Sequence, residues 1–94
     1  MTRDEAEMVA IEGLQFIAAS DAELDRFVAL TGIAPSDMRE AAENPTFLSG
    51  VLDYFLGDEA TLLAFAASCG RNPQDIPAAR LELSTAGKGK GRDA

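Results

Sequence analysis

The chain has 94 residues, 47% of them apolar, and a formal net charge of −8. That length and apolar content specify one folded domain and exclude a disordered chain. Residues 1–83 hold five Arg, no Lys and fifteen Asp or Glu, while 84–94 carry Lys88, Lys90 and Arg92 against Asp93, so an acidic body repels phosphate backbones and nucleic-acid binding is disfavoured.

From the N-terminus, Thr2 and Glu5 have the spacing of a capping box, in which side chain and backbone satisfy each other at a helix start. This predicts a first helix from about residue 3 to about residue 19. Ala6, Val9, Ala10, Gly13 and Ile17 form its apolar stripe, flanked by Leu14 and Phe16. Gly13, lacking a Cβ, predicts close approach of another helix.

Ser20 and Glu23 form a second capping box, and a helix over about 21–31 would bury Leu24, Phe27 and Val28. Gly32 suits the left-handed position past a helix end. Pro35 suits a first turn, where its missing N–H costs nothing, so a third helix is predicted over roughly 35–43. Asn44 and Pro45 start a fourth, with Phe47, Leu48, Val51, Leu52, Tyr54, Phe55 and Leu56, ending at Gly57. Asp58 caps a fifth over about 59–69, and Gly70 stops it. A last short helix is expected from Asp75, because Pro77 is tolerated only near a helix start. After Leu83, the segment "STAGKGKGRDA" is too rich in Gly, Ser and Lys to build a core and is expected to be a flexible basic tail over 84–94.

Shifted by 38 residues, the sequence meets itself. "LDRFVALTGIAPSDM" from Leu24 lies over "LLAFAASCGRNPQDI" from Leu62. Nine of 28 positions agree between 14–41 and 52–79, among them Leu24/Leu62, Phe27/Phe65, Gly32/Gly70, Pro35/Pro73 and Asp37/Asp75. The agreements fall on core positions and on residues with special backbone roles, so a tandem duplication is read here. The expected fold is all-α: a compact bundle of five or six short helices over 1–83, built as two pseudo-symmetric helix-helix-turn-helix halves. A corner repeated as structural punctuation needs no DNA groove to explain it. The would-be reading helix offers Arg39 among Asp37, Glu40 and Glu43, the wrong charge for a phosphate surface.

Other chemistry is sparse. His is absent and Cys69 is the single cysteine, which excludes an intramolecular disulfide and any His-based zinc site or catalysis. Cys69 falls in a last helical turn, where the helix field opposes a thiolate, and it is read as a small buried packing residue. The acidic groups cluster in first turns, where negative charge is favourable, and no run has calcium-loop spacing. "GKGKGR" follows no strand and so lacks the context of a phosphate-binding loop. The longest apolar or small run, residues 60–69, is about half the roughly 20 residues of a membrane span. "MTRDEAEM" lacks the basic start and apolar core of a signal peptide. A cytoplasmic protein without cofactor, metal or membrane attachment is the expectation.

The remaining signal is apolar surplus. Met8 and Ile11 fall off the main stripe of the first helix, and Phe47 and Tyr54 off that of the fourth. They form a second buried layer, scattered surface apolars, or a self-association or partner-binding surface. The candidate protein-interaction surface is therefore Met8, Ile11, Phe47 and Tyr54.

The block "FVALTGIAPSDMREAAENPTFLSGVLDYFLGDEATLLAFAASCGRNPQDI", about half the chain, resembles a domain-of-unknown-function family of short helical bacterial proteins. The resemblance implies the helical fold and a bacterial source, and transfers no functional residue. The basic tail is outside it. The function expected is a small non-enzymatic interaction module that binds a protein partner or itself as a homodimer. The alternative is an acidic pocket for a small ligand or metal between the halves, and the third is helix-turn-helix-like DNA binding.

Overall fold

In the computed structural model, the backbone is described for residues 1–92 and side chains for 1–84. Within the expected flexible tail over 84–94 the described backbone is helical through residue 92, so the last helix is longer than the short one expected, and residues 93–94 lie outside the described residues. The described backbone is helix and turn: α1 (Arg3–Ala18), α2 (Asp21–Thr31), α3 (Met38–Ala41), α4 (Pro45–Leu56), α5 (Glu59–Cys69) and α6 (Asp75–Arg92).

The caps act as their residue types dictate. Thr2 accepts from the Glu5 N–H at 3.1 Å while the Glu5 carboxylate accepts from the Thr2 N–H at 3.0 Å, a closed capping box. Ser20 accepts from the Glu23 N–H, Asn44 from the Thr46 N–H, and Asp58 from the Ala60 and Thr61 N–H groups. Each satisfies donors that a helix start leaves orphaned. Gly32 (φ 76°) and Gly70 (φ 68°) end α2 and α5 in the left-handed conformation.

The third predicted helix needs correction. Residues 35–43 divide into a 3₁₀ turn, Pro35–Asp37, and the four-residue α3. Past Ala41 the Glu43 and Asn44 N–H groups bond to the Glu40 and Ala41 carbonyls, three residues back. The chain tightens there because the Pro45 ring disfavours helical geometry in the residue before it.

The repeated corners match locally. α2 and α5 each have 11 residues. The Asp37 N–H bonds Ala34 O and the Asp75 N–H bonds Asn72 O, both at 2.9 Å. The shift pairs Met38 with Ile76, and both are buried. The match ends at the third helix of each segment. α3 has 4 residues and α6 has 18, and α6 packs on both α1 and α4.

The core lies between α1, α4 and α6, with α2 and α5 closing it. Phe55 and Phe65 stack at 4.5 Å, and Phe16 tilts against both. Gly13 is buried where α1 meets Val51 and Phe55 of α4, the close approach expected of it. Ion pairs tie the frame from outside. Arg71 grips Glu12 of α1, Arg80 of α6 meets Asp53 of α4 at 2.7 Å, and Arg26 of α2 meets Asp58 at 3.0 Å. Among the described residues no helix is long and apolar enough to cross a membrane.

Candidate functional site

α1 carries two stripes. Ala6, Val9, Ala10, Gly13 and Ile17 face the core. Asp4, Met8, Ile11, Gln15 and Ala18 are exposed, and their alternating spacing of four and three residues makes one line along the helix. Met8 keeps 52% of its surface and Ile11 37%, so the expected apolar surplus of α1 stays on the outside.

That line runs into an open groove of about 380 Å³. Ile11, Leu14, Gln15 and Ala18 of α1 and Leu24 of α2 line it. The left-handed turn at Gly32 and the 3₁₀ turn at Pro35 bring the chain back so that Pro35, Met38 and Arg39 also line it. Met38 is buried, while its neighbour Arg39 is exposed.

Arg39 differs electrostatically from every other arginine described. Arg3 pairs with Glu7, Arg26 with Glu23 and Asp58, Arg71 with Glu12, and Arg80 with Asp53. Among the described residues Arg39 alone of the arginines has no carboxylate partner. The reason is local. Because α3 ends at Ala41, Glu43 is not on the same helical turn and the four-residue spacing that would pair it with Arg39 is lost.

The other half of the sequence-predicted surface packs against the core. Phe47 and Tyr54 are half-buried, and their rings meet the buried Phe27 edge-on at 6.0 and 5.4 Å. They therefore form the second buried layer rather than an open patch with Met8 and Ile11. The Tyr54 hydroxyl donates to the Glu23 carboxylate, which explains why a tyrosine can close this layer. Burial, then the Glu23 carboxylate, pushes the Tyr54 phenol above its ordinary pKa, against a smaller opposing pull from Arg26. Cys69 also needs correction: it is exposed at the end of α5, on a helix whose buried side is Thr61, Leu62, Phe65 and Ala66. Partial desolvation, then Glu12, holds its thiol above the usual range, while Arg71 pulls the other way.

Glu12 is held below the usual carboxylate range by hydrogen bonds from Arg71, at 2.7 and 3.1 Å. Each of these three shifts moves the titration away from neutral pH: Tyr54 stays a phenol, Cys69 a thiol and Glu12 a carboxylate. Among the described residues no three His, Cys, Asp or Glu side chains gather as around a metal ion. The groove thus combines a mostly apolar lining, the exposed Ile11 and one arginine without an ion pair among the described residues. Sequence reading missed Leu24, Pro35, Met38 and Arg39 as its lining, because residues from three elements meet there only after the corner has turned.

No curated protein and no solved structure matches the chain. A family model does, over residues 3–86, a wider span than the central block alone and one that stops short of Lys88, Lys90 and Arg92. The chain belongs to the family described as "Protein of unknown function (DUF3572)".

Proposed function

We propose that this domain is a small interaction module that docks an apolar helical segment along the groove between α1, α2 and α3. The observation that carries this is the exposed Met8 and Ile11 on one line of α1, with Ile11 lining a mostly apolar groove that Arg39 also lines. Exposed apolar surface next to a concavity is the usual sign of a protein contact, and a helix lying in a groove is a recurring mode of recognition. The corner after α2 gives little support to DNA reading: α3 has four residues, under 10 Å at about 1.5 Å per residue, and its one cation stands between Met38 and Glu40 in an acidic body.

The test is site-specific photo-crosslinking in the native cell. A photoreactive residue at position 11 should give a discrete protein adduct, identified by mass spectrometry. The same residue at exposed Gln74 should not. Equal labelling from both positions, or no adduct from position 11, ends the proposal.

A further inference from the structure

We infer that the segment docked in this groove is a cationic amphipathic helix of another protein, with an apolar stripe on one side and Lys or Arg along its flanks. This rests on the docking reading above and names the partner's chemistry. The argument is the distribution of charge. Residues 1–43, which contain every residue lining the groove, hold ten carboxylates against three arginines, a net side-chain charge of −7. Residues 44–83 hold five against two, a net −3. Among the described residues seven carboxylates of the first segment form no ion pair, against three of the second.

Four of the seven stand beside lining residues in the chain. Asp25 follows Leu24, and Asp21 precedes it by three residues on the same side of α2. Asp37 and Glu40 bracket Met38 and Arg39. All four are exposed, so Arg39 is outnumbered by carboxylates around an otherwise uncharged lining. A basic amphipathic helix satisfies both features at once: its apolar stripe fills the groove and its cations meet the carboxylates. Long Lys and Arg stems also cover apolar surface. The same charges disfavour a second copy, which would bring one segment of −7 against another. The chain's own Lys88, Lys90 and Arg92 alternate with glycine and offer no apolar stripe.

Direct binding to the full chain tests this. The probe is a labelled synthetic amphipathic helix of leucine and lysine, read by fluorescence anisotropy beside the same helix with glutamate in place of lysine. Circular dichroism shows that each variant of the chain stays folded. The leucine–lysine helix should bind about tenfold or more tightly than the leucine–glutamate one, and less tightly as salt rises. The backbone amide shifts it causes should centre on residues 11–18, 24 and 35–39. Ile11→Gln should weaken binding about threefold to tenfold by removing an apolar anchor. Asp25→Lys with Glu40→Lys should weaken it about tenfold or more. Glu59→Lys with Glu82→Lys makes an equal change of net charge outside the groove and should weaken it by less than about threefold.

A leucine–glutamate helix that binds as well overturns the inference, and so does a leucine–lysine helix that does not bind. Equal losses from the two charge-reversed pairs, or no loss from Ile11→Gln, also overturn it, because binding would then follow net charge alone. If position 11 crosslinks in the cell to a segment with no excess of Lys and Arg, the docking reading survives and the cationic partner does not. If position 11 crosslinks to nothing, both fail.

Discussion

Gly13 of α1 lies so close to Phe55 of α4 that a Cβ built on it would stand 2.7 Å from the ring's Cε2 and 3.4 Å from Val51 Cγ1. The ring has little freedom to retreat, because it stacks at 4.5 Å on Phe65. Glycine here sets the separation of two central helices. Gly13→Ala should lower stability: overpacking costs typically about 1–3 kcal/mol, against a gain of up to about 1 kcal/mol in helix propensity. Gly50 of α4 has no atom within 4 Å of its notional Cβ, so Gly50→Ala should instead gain about 0.5–1 kcal/mol. Urea melts of the two variants should move in opposite directions.

The left-handed corners predict a second contrast. Gly32→Ala and Gly70→Ala put a Cβ at φ 76° and 68°, and each should lose about 1 kcal/mol. Gly57 ends α4 at φ −83° with only ordinary contacts to a Cβ, so Gly57→Ala should be close to neutral. Thermal melts that rank all three glycines alike would contradict the backbone assignment.

The Glu12–Arg71 pair predicts a pH dependence. Glu12 titrates lower in the folded chain than its ordinary value because Arg71 bonds its charged form. Its contribution is therefore fully present above the unfolded pKa, about 4.3, and is lost as pH falls through the lowered folded value. Both side chains keep a quarter or more of their exposure, so solvent screening holds the effect to about 1 kcal/mol or less. Stability measured from pH 7 down to pH 3 should fall less steeply in Glu12→Gln than in the wild type.

Tyr54 titrates in the opposite sense. Its phenol is raised by burial and by Glu23, so its contribution is complete below the ordinary tyrosine value, about 10, and disappears as pH rises through the folded value. An ultraviolet titration of the phenolate should show an upward shift that vanishes in urea. Tyr54→Phe keeps the edge contact with Phe27 but removes the bond to Glu23, and should cost about 0.5–1.5 kcal/mol at neutral pH.

Cys69 is exposed, with its thiol raised. It should be alkylated in the folded chain, but more slowly at pH 8 than a free thiol, because less thiolate is present. Glu12→Gln should speed the reaction by removing a negative neighbour. Labelling that needs prior unfolding would show that the thiol is closed off instead.

The starts of α2, α4 and α5, and the two left-handed glycines that end α2 and α5, were legible in the sequence. Each depends on hydrogen bonds spanning two to four residues and on the backbone preferences of Gly, Pro, Ser, Asn and Asp. The buried stripe of α1 and the close approach at Gly13 were legible too, since both follow from helical periodicity. Three things were decided only by tertiary structure. Phe47 and Tyr54 became a buried layer because Phe27, from another helix, came to lie against them. Cys69 was left in solvent because α5 turned Leu62 and Phe65 inward and its last turn outward. Arg39 was left without a carboxylate in the lining of an apolar groove because the chain tightened before Pro45 and cut α3 to a single turn. Local hydrogen bonding is written in neighbouring residues, whereas exposure and charge pairing depend on which helix faces meet, and those meetings join residues far apart along the chain.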